Sequence, residues 1–360
     1  MVGLPIAANI PLEHRRSVLC PQYRRVKVWR SEGKGLCAWR VERTDGPLAG
    51  HRRRNAIKAA ICRAYGPPEV LQVCDIQQPV PKHHEVSIKI HTAAVTASDA
   101  IVRGFKLARW SPMGLGMGLA LGFTRPRNPI LGNILAGEVE AVGRHVSRFR
   151  VGDQVYAFTM LRFGAYAEYT CLPESVVIAS KPQNLSFEEA AAIPYGGLIA
   201  LHFLRKARVA AGQKVLIYGA SGAIGSTAVQ LARYFGADVT GVCSTANMAW
   251  VQALGAETVI DYTQEDFTKR DERYDLILNA VGKRKARLAC QRSLTPQGKH
   301  VTVDDGNPKI RTEGLLCLNE VIGAGKLKPV IDRVYPLDQI AEAHRYVDQG
   351  HKKGNVVITM

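Results

Sequence analysis

Lys214-Val215-Leu216-Ile217-Tyr218-Gly219-Ala220-Ser221-Gly222-Ala223-Ile224-Gly225-Ser226-Thr227-Ala228-Val229-Gln230-Leu231-Ala232 is the stretch whose reading decides the fold. Lys214 to Tyr218 is the short apolar run of a buried parallel strand, and the segment holding Val229, Leu231 and Ala232 reads as a helix lying back on it. Between them the glycines have separate tasks. Gly219 allows a sharp turn off the strand, Gly222 allows backbone N–H groups to approach phosphates, and Gly225 allows the helix to pack close to the sheet. The first helical turn then aims unpaired N–H groups and a partial positive charge at an anion. Strand, glycine turn and helix together read as a dinucleotide site over Gly219, Ala220, Ser221, Gly222, Ala223, Ile224 and Gly225.

On both sides of this unit the hydrophobic period changes. From Lys214 onward strands alternate with helices: Asp238 to Cys243, Met248 to Leu254, Thr258 to Ile260, Asp275 to Asn279, Lys285 to Leu294 and Lys299 to Val303. That order implies an α/β fold with a doubly wound parallel sheet. Before it, short strands punctuated by Gly and Pro, at Lys58 to Cys62, Val70 to Val73, Glu85 to His91, Gly137 to Gly143, Asp153 to Phe158 and Tyr166 to Cys171, imply a β-rich, barrel-like domain. Ser186 and Glu189 form a capping box at the junction. After a helix from Glu313 to Ala324, a strand from Lys328, a helix through Ile340 to Tyr346 and a last strand Asn355 to Thr359 are expected to rejoin the β-rich domain. The expected boundaries are 56–182 with 320–360 for the β-rich domain and 183–319 for the dinucleotide domain.

Composition bounds the remaining possibilities. At 360 residues, with 46% hydrophobic and 22% charged residues, the chain is globular and long enough for two domains. No apolar run reaches a bilayer-spanning length, so a non-membrane, cytoplasmic protein is expected. Eight cysteines contain no C-x-x-C pair and read as small hydrophobes in a reducing compartment. Of the net charge of +17, residues 1–58 carry 13 Lys or Arg against 4 Asp or Glu, a share of +9. Residues 1–55 lack sustained periodicity and read as a disordered basic extension, with an organelle transit peptide and an anionic-surface or nucleic-acid arm as alternatives. Nucleic acid is not the expected partner, since basic runs are usually solvated.

From Lys58 to Met360 the chain resembles zinc-independent members of the medium-chain dehydrogenase/reductase superfamily, of the quinone oxidoreductase or enone reductase type. The matching pieces run in order: Tyr65-Gly66-Pro67-Pro68-Glu69-Val70-Leu71, Val95-Thr96-Ala97-Ser98-Asp99, Ala136-Gly137-Glu138-Val139, Phe163 to Tyr169, Tyr218 to Gly225, Gly255 to Tyr262, Ala341 to Tyr346 and His351 to Val357. The resemblance implies a GroES-like catalytic domain beside a Rossmann domain, an active site in the cleft between them, and a homodimer. Zinc-dependent relatives place a Cys shortly before the Asp and a Gly-His-Glu triplet later; here those stretches are Thr96-Ala97-Ser98-Asp99 and Gly132-Asn133-Ile134, so no catalytic metal is expected.

NADPH is the expected cofactor. The second strand ends in Val242-Cys243-Ser244-Thr245-Ala246-Asn247, without the carboxylate that an NAD site sets against the ribose, and the hydroxyls of Ser244 and Thr245 can donate to a 2′-phosphate. By resemblance Tyr262 contacts that phosphate, and it reads equally as a strand-end aromatic. Relatives often carry Arg or Lys near Ala246 and Asn247, so weaker NADPH affinity follows. Asn279, Ala280 and Val281 are expected at the nicotinamide, and Asn355 completes the cofactor set. Without zinc, hydride delivery to a quinone or an α,β-unsaturated carbonyl is the favoured chemistry, with hydrogen-bond donors stabilising the developing oxyanion. Thr96 and Ser98 are the candidate donors, and Asp99 by resemblance shapes the cleft; equally, Thr96 to Asp99 reads as the cap of a helix starting near Ala100. Met113 to Phe123 and Phe158 to Tyr169 are the candidate apolar lining. Ile199 and Asn279 depart from the Thr and Asp of many relatives, which leaves a cofactor-binding redox sensor or scaffold as the alternative function.

Overall fold

The computed structural model describes residues 56–105, 112–282, 287–306 and 308–360. The basic extension expected over 1–55 lies outside the described residues, as does the start of the helix expected from Lys285. The chain begins with an antiparallel pair, β1 (Ala56–Cys62) and β2 (Leu71–Gln77), joined through the Gly-Pro-Pro turn. Then follow β3 (Glu85–Val95), α1 (Ala97–Gly104), α2 (Pro112–Leu121), β4 (Ile134–Val142), β5 (Gln154–Phe158), β6 (Tyr169–Pro173) and β7 (Val177–Ser180). Helices α3 (Phe187–Ala191) and α4 (Pro194–Ala207) lead into the alternating half. That half holds β8 (Lys214–Tyr218), α5 (Ala223–Tyr234), β9 (Asp238–Cys243), α6 (Met248–Ala253), β10 (Thr258–Asp261), β11 (Tyr274–Asn279), α7 (Arg287–Arg292), β12 (Leu294–Thr302) and α8 (Thr312–Gly323). The chain closes with β13 (Ile331–Pro336), α9 (Ile340–Asp348) and β14 (Asn355–Thr359).

Five parallel strands lie in the order β10-β9-β8-β11-β12, so the chain winds one way from β8 and then the other, which opens a crevice at the carboxyl ends of β8 and β11. Val215, Leu216 and Ile217 are fully buried between helix layers, as expected of a strand covered on both faces. Among the described residues the sheet ends at β12, and the chain passes from there to α8 without another strand.

The second sheet has the order β13-β14-β3-β4-β5-β7, with β6 also on β3. Its tail strand β14 pairs with β3 from Val356 opposite Val95 to Thr359 opposite Thr92, which is the expected return of the C-terminus. β13 starts at Ile331, later than the Lys328 read from the sequence. Lys328 and Val330 bond elsewhere: the Lys328 N–H donates to Gln230 Oε1 at 2.8 Å, and the Val330 carbonyl accepts from Asn355. One apolar core runs from Ile217, Val229 and Leu278 of the parallel-sheet half across the junction to Ile134, Tyr156 and Val357 of the second sheet, and another, with Ile88, Leu135 and Val356, fills the β-rich domain. Burial pushes the thiols of Cys62, Cys171, Cys243 and Cys290 up to about 11, so they are packing groups at neutral pH.

Candidate functional site

Where β8 ends, Gly219 turns with φ +80°, a conformation that a side chain would strain. A Cβ on Gly225 would sit 2.1 Å from the Gly219 carbonyl, so α5 can start this close only with glycine there. At Gly222, the N-cap of α5, an added Cβ would meet nothing nearer than that carbonyl at 3.6 Å. The space in front of the loop is open, and no side chain caps the helix. Such a cradle fits a pyrophosphate held by the first N–H groups of α5, from Ala223 and Ile224 onward. The loop is pinned from the other domain, because Gly354 N–H donates to Ser221 O at 2.9 Å. Asn355, next in sequence, is buried and turns its amide to Val330 O at 3.1 Å. Ala220 is fully buried, its N–H bonded to Val242 O.

The turn after β11 is organised by Asn279. Its Oδ1 accepts from Val281 N–H at 3.0 Å and from Gly282 N–H at 3.1 Å, and its Nδ2 donates to Gly282 O at 2.9 Å. Ala280 N–H is held by Tyr218 O at 2.9 Å. The donors of the turn are therefore occupied, and its carbonyls at Ala280 and Val281 are what it offers to a ring carboxamide. Exposed Val281 stands over the glycine loop, close to Gly219.

At the end of β9 the geometry corrects the idea that no carboxylate serves this corner. Asp261, at the end of the adjoining β10, accepts from Thr245 Oγ1, and from Thr263 N–H at 2.9 Å and Thr263 Oγ1 at 2.7 Å. The Thr245 hydroxyl foremost, and then Thr263, hold this carboxyl below its usual range, so it is ionised. The Thr245 hydroxyl is thus committed as a donor to Asp261. Ser244 Oγ accepts from Asn247 Nδ2 at 3.0 Å and keeps its own proton for a ligand, and Tyr262 is about half exposed beside it. Asp261 precedes the expected Tyr262 in sequence, and pairing of β9 with β10 places it opposite Cys243.

Across the cleft, Thr96 is the N-cap of α1. Its hydroxyl accepts from Asp99 N–H at 3.2 Å and donates to Asp99 Oδ2 at 2.6 Å, while Thr96 N–H donates to the same oxygen at 2.9 Å. The capping box read as one option is therefore formed, and it begins at Ala97 rather than Ala100. Ser98 Oγ lies 2.8 Å from Thr96 Oγ1. Since the Thr96 proton goes to Asp99, Ser98 is the donor in that pair. Complete burial raises the Asp99 carboxyl to about 6, against the lowering effect of its Thr96 bonds and of Tyr166, whose hydroxyl faces it.

One group was missed. Tyr195, on the first turn of α4, faces Ser98, and burial raises its phenol above the ordinary value, which keeps it protonated. Its ring stands edge-on to Phe158 at 6.2 Å. α4 abuts the glycine loop at Gly196, where a Cβ would come within 2.3 Å of Ala223 O. Pro194 at the first helical position signals where α4 starts, but nothing local to it signals that the next side chain reaches Ser98. Of the expected apolar lining, Phe163 and Tyr166 are core residues, whereas Leu115, Leu119 and Phe123 are exposed on and after α2. Ile199 is buried in the α4 core.

Zinc does not fit this site. Thr96, Ser98 and Asn133 supply neither thiolate nor imidazole, and no group of three metal-ligating side chains occurs among the described residues. Among the same residues no helix is long and apolar enough to cross a membrane.

Comparison with known proteins agrees with this architecture. Residues 82–183 match the alcohol dehydrogenase GroES-like domain, and residues 223–320 and 305–358 match two models described as zinc-binding dehydrogenase. The chain is 34% identical to a 2-methylene-furan-3-one reductase of Solanum lycopersicum, across 82% of this chain and 76% of that one. It is 31% identical to an NADPH-dependent alkenal/one oxidoreductase of Arabidopsis thaliana, across 84% and 79%, and 30% identical to a quinone oxidoreductase of Homo sapiens, across 79% and 92%. A solved quinone oxidoreductase from Coxiella burnetii superposes with a TM-score of 0.73 at 27% identity, covering 85% of this chain and 99% of that one. With a Rossmann cradle facing a GroES-like domain over most of its length, the chain belongs to the medium-chain dehydrogenase/reductase superfamily and is a nicotinamide-dependent oxidoreductase.

Proposed function

We propose that the protein is an NADPH-dependent, zinc-free reductase of quinones or α,β-unsaturated carbonyls. The observation that carries the reading is the placement of Tyr195, a protonated phenol on the first turn of α4, against Phe158 and facing the Ser98–Thr96–Asp99 chain, on a helix whose next residue, Gly196, abuts the glycine loop. A bound NADPH supplies the hydride. Addition at the β-carbon of an enone, or at a quinone, drives an electron pair onto the carbonyl oxygen, and that oxygen needs a donor as its charge grows. Thr96 cannot serve, since its hydroxyl already donates to Asp99 Oδ2. Ser98 donates inward to Thr96, so neither hydroxyl has a proton left for substrate. Tyr195, protonated and facing Ser98, is left as the donor: its one proton turns to the oxyanion when substrate is bound.

For the cofactor, the loop from Ser221 to Gly225 would hold the pyrophosphate, the carbonyls of Ala280 and Val281 the ring carboxamide, and Ser244 and Tyr262 the 2′-phosphate. Asp261 does not repel that phosphate as an unshielded carboxylate would, because both its oxygens already accept hydrogen bonds. The named activities of the tomato, Arabidopsis and human relatives support the same substrate classes.

The test is to follow NADPH absorbance with a panel of quinones and enals, and to repeat it with NADH. Turnover with at least one class, and a higher kcat/KM for NADPH than for NADH, are expected. Tight NADPH binding with no turnover on any member of the panel would overturn the reductase reading.

A further inference from the structure

Between α4 and residues 309–314, which lead into and open α8, lies an open groove of about 480 Å³ lined by no residue of the glycine loop. Its wall carries Arg205 and Lys206 from the last turn of α4, Lys309 and Arg311 from the facing segment, and one carboxylate, Glu313. Four cations against one anion leave +3 around a volume of small-molecule size. Among the described residues no ion pair joins any of the four to a carboxylate. Their recorded partners are weak or neutral: Arg205 Nη2 donates to Cys317 Sγ at 3.0 Å and Lys206 Nζ to Asp305 O at 3.3 Å.

His202 lines the same wall. Burial first, then Lys206 and Lys309, lower its pKa, so the ring is neutral. Its Nδ1 accepts a long bond from Lys309 N–H at 3.4 Å, which leaves the ring proton on Nε2 as a further donor. Arg311 is also the N-cap of α8, and no side chain caps that helix, so its dipole adds the same sign. Like charges gathered in a partly enclosed cavity repel one another unless an anion completes them.

We propose that this pocket binds a small multiply charged phosphate anion, of the oligophosphate or phosphomonoester class, at a site separate from the cofactor cleft. Guanidinium groups, here Arg205 and Arg311 on the same groove, suit the paired oxygens of phosphate, and Lys206 and Lys309 add point charges.

Calorimetric titration of inorganic tripolyphosphate into the full chain, saturated with NADPH to fill the cofactor's own phosphate sites, tests this. One site is expected, weakening as salt rises. In R205Q/K309Q the affinity should fall at least about tenfold, with NADPH binding unchanged. R311Q is the second variant, and circular dichroism monitors the fold of both. No binding by the NADPH-saturated protein, or equal affinity in both folded variants, overturns the proposal. So does binding of heparin without binding of tripolyphosphate, which would mark a surface for polymers.

Discussion

A hydroxyl has one proton, and where Thr96 and Thr245 place theirs decides which groups in this cleft can still donate. Both give it to an aspartate, Thr96 to Asp99 and Thr245 to Asp261. Ser98 in turn donates to Thr96, so Ser244 and Tyr195 carry the functions that the two threonines were expected to share. In Y195F the ring and its contact with Phe158 survive while the donor is lost. We expect kcat to fall on the order of a hundredfold, roughly 3 kcal/mol of barrier, with the NADPH dissociation constant unchanged; an unaltered kcat in single-turnover measurement would remove Tyr195 from the mechanism. Asp99 supplies a stability test. Its carboxyl is raised to about 6 by burial, so the native state binds this proton more tightly than the unfolded chain does. Ionising it therefore costs native stability: nothing below the ordinary carboxylate pKa, then increasingly through the interval up to the raised value, to roughly 3 kcal/mol above it. Urea unfolding of the native sequence should lose stability between about pH 4 and pH 6.5, and D99N should flatten that part of the profile. A D99N profile that still falls as steeply would show that other groups set it.

At the scale of elements, legibility followed the range of the interaction. The β8, glycine-turn and α5 unit was readable because its determinants are adjacent in sequence: the apolar run, the αL turn at Gly219 and the close approach at Gly225. The capping boxes at Thr96 and Ser186 were readable for the same reason, with Asp99 and Glu189 three residues on. What could not be read was set by pairing between elements. Asp261 reaches Thr245 only because β9 and β10 are neighbours, and Tyr195 reaches Ser98 only because the two domains close on each other. Asn279 was read as a loss relative to Asp, yet its amide both accepts from Val281 and Gly282 and donates to the Gly282 carbonyl, a bond that a carboxylate cannot make. N279D should therefore loosen the turn under Val281 and raise the KM for NADPH several-fold with little change in kcat, measured by initial rates. A more severe effect belongs to G225A. Its Cβ would be forced against a backbone oxygen, which overpacks the junction by about 1–3 kcal/mol, so a lower urea midpoint and loss of NADPH fluorescence enhancement are expected together.

For the whole molecule, the question is where the folding unit starts. Residues 55–360 form one compact unit, and within it the two domains are tied at several points: Tyr156 Oη donates to Asn319 Oδ1 at 2.6 Å, Gln230 Nε2 to Lys328 O at 3.0 Å, and Gly354 N–H to Ser221 O at 2.9 Å. These ties connect the β-rich domain to α8, α5 and the glycine loop, so the cleft keeps its shape only while both domains are folded. The start of that unit is β1, whose residues pair with β2 from Ala56 opposite Gln77 to Cys62 opposite Leu71, and whose Ala59, Ala60 and Cys62 are fully buried. A chain begun at Asn55 keeps all of that pairing and discards +8 of the net charge of +17. It should match the full chain in thermal midpoint and in NADPH-dependent turnover. A chain begun at Arg63 lacks β1, leaves β2 without its partner strand and exposes the apolar surface beneath it, and should unfold at lower temperature or fail to accumulate. Loss of turnover in the chain begun at Asn55, with its thermal midpoint intact, would instead assign the first 54 residues a part in the reaction.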